Sequence, residues 1–122
     1  MRIRMMLAGV AAAGLMAFPA MAQDGEYGEP LRLMLSDAAE GNCSEAWMAP
    51  AVLGACQAQI AGMAQGLQAL GAIQSMTFVS ARDTPEGRVE TWSVAYASGQ
   101  TLNWVIGHRQ PDGKFAAVGT GG

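Results

Sequence analysis

At Gly71 the period of the sequence changes. Upstream, apolar residues recur at three- and four-residue spacing, the mark of helices that bury one stripe; downstream they alternate, the mark of strands that bury one face. A chain that switches once in this way folds as an α+β unit, with its helical part covering one side of an antiparallel sheet. The downstream part divides into four predicted strands, Ile73 to Ala81, Arg88 to Ala97, Gln100 to Gln110 and Lys114 to Thr120, joined by turn-like connectors.

The turns set the register. Ala97-Ser98-Gly99 and Pro111-Asp112-Gly113 both place Gly third, as a three-residue hairpin loop ending in a left-handed residue requires. Pairing Tyr96 with Gln100 puts Trp92 opposite Trp104, Val94 opposite Leu102 and Glu90 opposite Ile106. The next turn, pairing Gln110 with Lys114, sets His108 against Ala116 and Ile106 against Val118, and the 83–87 connection sets Phe78 against Trp92. All three turns predict one apolar layer: Met76, Phe78, Trp92, Val94, Tyr96, Leu102, Trp104, Ile106 and Val118.

Two helices precede the sheet. Leu31, Met34, Leu35 and Ala38 predict a short amphipathic one from Pro30 to Glu40, with Asp37 and Glu40 toward solvent. Pro50 to about Leu70 predicts a long one, begun by a proline whose missing donor is harmless in the first turn and capped by Gly71. Leu53, Cys56, Ile60, Met63, Leu67 and Leu70 make it the expected core helix, lying across the sheet. No charged residue occurs from Ala46 to Ala81, and Gly54, Gly62 and Gly66 interrupt the helix, so close approach of another backbone is expected there. The uncharged helix is also the expected surface for a homodimer or a protein partner.

The N-terminus reads as a secretory leader. Arg2 and Arg4 precede an uncharged apolar run from Met5 to Phe18, Pro19 breaks it, and Ala20-Met21-Ala22 is a small-x-small cleavage site. This implies a leader over 1–22 and one periplasmic or secreted domain over 23–122, with its core at about 50–120. That apolar run is too short for a stable membrane anchor. From Gln23 onward five basic residues face ten acidic ones, a balance that repels nucleic-acid phosphates. In an oxidising compartment the two cysteines, Cys43 and Cys56, are expected to form a disulfide.

The stretch Leu70-Gly71-Ala72-Ile73-Gln74-Ser75-Met76-Thr77-Phe78, the strand Trp92-Ser93-Val94-Ala95-Tyr96 leading to Gly99, the Trp104-Val105-Ile106 strand and the Pro111-Asp112-Gly113-Lys114 turn resemble small exported bacterial domains of the cystatin-like and nuclear-transport-factor-2-like (SnoaL-like) group. The resemblance implies a cystatin-like roll, a long helix wrapped by a curved antiparallel sheet. It transfers no site residue, because its turns and core positions serve unrelated functions.

Candidate chemistry is sparse. His108, the only histidine, sits in the expected register opposite Arg88, with Glu90 one step inward on the same face. The three could gather at the mouth of the cone between helix and sheet and bind a ligand. No nucleophile-elbow sequence, metal-ligand spacing or phosphate-loop context is present, so no catalytic residue, metal or cofactor is assigned. Met34, Met48, Met63 and Met76 are spaced as core fillers. The expectation is a non-enzymatic binding or association module, the alternative being a small-ligand-binding or isomerase-like protein that uses the cone. An open cavity under the long helix favours the second; a filled core favours the first.

Overall fold

A computed structural model describes residues 25–121 of the chain. The expected leader and its expected cleavage site lie outside the described residues. Helix α1 (Gly28–Ala39) is followed by α2 (Pro50–Leu70) and by strands β1 (Ile73–Thr84), β2 (Gly87–Tyr96), β3 (Thr101–Arg109) and β4 (Phe115–Thr120). The strands form one antiparallel meander in the order β1-β2-β3-β4, and both helices pack on it as an α+β domain. Among the described residues no helix is long and apolar enough to cross a membrane.

Across the apolar layer the register is the expected one, although β1 runs on to Thr84 instead of ending at Ala81 and is bulged between Phe78 and Ser80. Trp92 pairs with Trp104, Val94 with Leu102, Glu90 with Ile106, Phe78 with Trp92 and Ile106 with Val118. Both three-residue loops close as their glycines require: Tyr96 N–H donates to Gln100 O at 2.9 Å and Gln110 N–H to Lys114 O at 2.7 Å, with Gly99 and Gly113 at φ 95° and 87°. Beneath the helices, Val94 and Ile106 are fully buried, and the Trp104 indole donates to the Tyr96 hydroxyl at 3.0 Å, which satisfies a buried polar group inside the core.

The helices divide the work differently from the expectation. The short helix α1 is the one sealed into the core: Leu31, Met34, Leu35 and Ala38 are all buried. On the 21-residue α2 only Cys56, Ala64 and Leu67 are buried, while Leu53, Ile60, Met63 and Leu70 are half-buried against the core. Helix α2 packs mainly on α1 and on β4, at one side of the sheet. Its lack of charge reflects small neutral side chains in water, Ala55, Ala58, Ala61 and Ala69 among them, rather than all-round burial. The expected close approach at its glycines is absent: a Cβ on Gly54, Gly62 or Gly66 would meet nothing within 4 Å. Asp37, expected in solvent, accepts a 2.7 Å hydrogen bond from the buried Ser44 hydroxyl and so ties α1 to the inter-helix linker.

The linker is stapled as expected. Cys43 and Cys56 form a disulfide across a separation of 13 residues, joining the linker to the second turn of α2. Such a loop closure is worth about 3 kcal/mol in the chain-entropy account. At the far end of α2, Gly71 (φ 88°) turns the chain against the β2–β3 hairpin, where Ala97 N–H reaches Ala72 O at 2.8 Å and Ser98 N–H reaches Leu70 O at 3.0 Å.

Candidate functional site

Of the three polar residues expected at the cone's mouth, Arg88 and Glu90 are brought together, with Arg88 Nε 2.8 Å from Glu90 Oε2. The Glu90 carboxylate is completely buried, and four donors converge on it. Its Oε2 accepts from Glu26 N–H (2.9 Å) and Arg88 Nε (2.8 Å); its Oε1 accepts from Tyr27 N–H (2.9 Å) and the Trp92 indole (2.8 Å). Burial alone would push this carboxyl up. The Glu26 amide, the Arg88 guanidinium, the Tyr27 amide and the Trp92 indole outweigh it and hold Glu90 below the ordinary carboxylate value. The anion also faces the N-terminal entry of α1, where the helix dipole favours negative charge. Glu90 is thus a clamp between β2 and the start of α1, and both its oxygens are occupied within the chain. Trp92 completes the clamp by lying against the entry segment: a Cβ on Gly25 would come within 2.6 Å of its ring and one on Gly28 within 2.7 Å, so both positions need glycine.

His108 does not join this pair. It adopts φ 56°, a left-handed conformation uncommon for a residue with a side chain, and its ring turns to the β1–β2 turn. There Nε2 lies 3.2 Å from Thr84 Oγ1 and 4.0 Å from Glu86 Oε1. The Thr84 hydroxyl donates to Gly87 O at 2.8 Å, so His108 Nε2–H is the donor to Thr84. The expected three-residue cluster is therefore two separate pairings, one holding a helix entry and the other a turn.

A cleft lies elsewhere, between α2, α1 and the β3–β4 side of the sheet. It is an open cleft of about 1020 Å³, floored by Trp104 and Val118 and walled by Val52, Met63, Met34 and Met48. Small-molecule sites run from roughly 300 to 1,000 Å³, so the cleft is large for the size of the domain. Cys56 lines it, so the disulfide fixes the wall that α2 contributes. None of the lining side chains titrates. Gln59 and Thr120 supply the polar side-chain atoms besides the Trp104 indole N–H, which is already given to Tyr96, and the rest is alkyl, aromatic, thioether or disulfide.

A space under the long helix belongs to the alternative reading of the sequence, but its lining was not foreseen: His108, Glu90 and Arg88 are all absent from it, and no motif announces the residues that are there. The cleft arises from α2 standing over one side of the sheet, and small residues such as Ala51, Ala55, Ala116 and Ala117 leave the space open. Among the described residues no group of His, Cys, Asp or Glu is placed to hold a metal ion. No family model, curated protein or solved structure matches the chain.

Proposed function

We propose that this is an exported, periplasmic or secreted binding domain that works without catalysis, and that the cleft beneath α2 is its binding site. The observation that carries the reading is an open apolar volume of about 1020 Å³, which favours the ligand-binding alternative over association through a filled core, while the lack of any titratable side chain on its walls favours binding over isomerase-like chemistry. Such a surface gains free energy by releasing water onto an apolar ligand and offers no acid, base or nucleophile to one. The two polar pairings support it as well: Glu90 is saturated by donors of its own chain, and His108 is turned to Thr84. The disulfide fits an oxidising compartment. The cystatin-like and nuclear-transport-factor-2-like resemblance belongs to the same reading for its fold, a long helix against a curved antiparallel sheet, and assigns no site.

The test is a titration with the neutral solvatochromic dye Nile red. Ala55 lines the cleft from an exposed position on α2, so Ala55→Trp fills the space without disturbing the core. Saturable dye binding to the mature protein, weakened about tenfold or more in Ala55→Trp, is the expected result. Absence of saturable binding, or equal binding by a folded Ala55→Trp, overturns the proposal.

A further inference from the structure

We infer that the cleft is a strand-acceptor groove: an extended, uncharged, apolar peptide segment of a partner pairs with the free edge of β4 and completes the sheet as a fifth strand. This rests on the cleft being the binding site and names what enters it. Three observations lead there.

First, five consecutive residues of one strand, Ala116 to Thr120, line the cleft. Side chains of a strand alternate between its two faces, so a pocket lying over one face would touch every second residue. An unbroken run means that the cleft opens onto the edge of the strand itself.

Second, that edge is already begun. Strand β4 is the last in the sheet order, and the linker residues Trp47 to Ala49 pair with its first residue as an isolated parallel bridge. Phe115 N–H donates to Trp47 O at 2.8 Å, and Ala49 N–H donates to Phe115 O at 3.0 Å. Pro50 then turns the chain into α2. Beyond Phe115, among the described residues, no hydrogen bond reaches the outer edge of β4. The chain therefore makes the first rung of a fifth strand and leaves the remaining places vacant, between β4 and α2.

Third, both walls leave room for a backbone. Gly119 sits inside β4, where glycine marks close approach of another chain, and a Cβ built there meets nothing within 4 Å; the same holds for Gly62 on the α2 wall. The vacant edge, five residues long, spans about 17 Å, enough for a short extended segment.

The edge also decides which apolar ligand fits. A hydrocarbon filling the cleft would strip water from the outward N–H and C=O groups of β4 and give nothing back, whereas a peptide pairs with them. The apolar, uncharged walls select a segment without charges, whose alternate side chains enter toward Trp104, Val52 and Met63.

The experiment uses the mature chain and a capped, fluorophore-labelled heptapeptide of alternating valine and threonine. Fluorescence anisotropy should show saturable binding, reduced about tenfold or more by Ala55→Trp and by N-methylation of alternate peptide amides. Amide hydrogen exchange should show protection gained at alternate residues between Ala116 and Thr120. Nile red binding that responds to Ala55→Trp, with no peptide binding, overturns the strand-acceptor inference and leaves the binding-site proposal standing; failure of both ligands overturns both. Equal binding of the N-methylated peptide also refutes the inference. So does protection of β4 that grows with protein concentration alone, because a second copy would then be the occupant.

Discussion

Replacing Glu90 by Gln tests whether a buried carboxylate holds the start of α1. Two donors now meet each oxygen. An amide keeps one oxygen and turns an N–H₂ group toward the other two donors, so two hydrogen bonds are lost and their donors are left facing a donor. A buried donor without an acceptor costs about 1–3 kcal/mol, and removing one partner of a buried ion pair costs about 3–5 kcal/mol. The expected loss is about 3–5 kcal/mol, a large share of the roughly 5–15 kcal/mol that stabilises a domain. Denaturant unfolding followed by tryptophan fluorescence measures it directly, since Trp92 is itself one of the donors. Glu86→Gln, at a carboxylate with a 68% exposed side chain, is the control and should change stability by about 0.5 kcal/mol or less. The pH dependence adds an independent check. The folded-state pKa of Glu90 is lowered, so its contribution is complete above the unperturbed value of 4.5 and fades as pH falls through the folded value. The gap between wild type and Glu90→Gln should accordingly narrow in acid. A loss below about 1 kcal/mol at neutral pH, or a gap that widens on acidification, would refute the clamp.

Trp104→Ala should cost about 3–5 kcal/mol, because it empties a buried position opposite Trp92, whereas the half-buried Val105→Ala on the other face should cost about 1 kcal/mol or less; equal losses would contradict the register. Removing the disulfide by Cys43→Ser with Cys56→Ser should lower stability by about 3 kcal/mol and lower the Tm, and mass spectrometry of the oxidised protein should show two hydrogens fewer than the dithiol. The small, uncharged outer side of α2 is expected to support weak self-association, visible by sedimentation from micromolar to submillimolar concentration and weakened by Gln65→Glu. Gln68 is unsuited to that test because its amide donates to Ala39 O at 2.8 Å, and a strictly monomeric wild type would count against association.

The sheet was legible in the sequence because turn chemistry and alternation are independent signals. Gly99 and Gly113 fix loop length, and the loop lengths then put Trp92, Trp104, Ile106 and Val118 on one face without knowledge of the helices. The ranking of the helices was not legible. Absence of charge on α2 looked like burial, yet alanine, glycine and glutamine are neutral enough to face water, and a periodic stripe tells which side turns inward but not how deeply. The clamp was half visible: Glu90 occupies a core-facing position between Arg88 and Trp92, and a charge there demands partners. Two of those partners are the main-chain amides of Glu26 and Tyr27, which no side-chain pattern advertises. His108 escaped its expected neighbours through a positive φ that a histidine rarely adopts.

The clamp also bears on the order in which the chain can assemble. Glu26 and Tyr27 reach Glu90 across 64 and 63 residues of sequence, so the helix synthesised first finds its anchor only after both α2 and β2 have been made. Hairpins and single helices form from local contacts, whereas closing so long a loop comes late. We therefore expect the meander to form before α1 is seated, with pulse-labelled amides of α1 protected after those of β2 and β3. During that interval α1 is held by α2 and by the Asp37–Ser44 tie alone, and the sides of Leu31, Met34 and Leu35 that the sheet will cover remain in water. This is the stage at which the chain is most exposed to proteases and to its own neighbours.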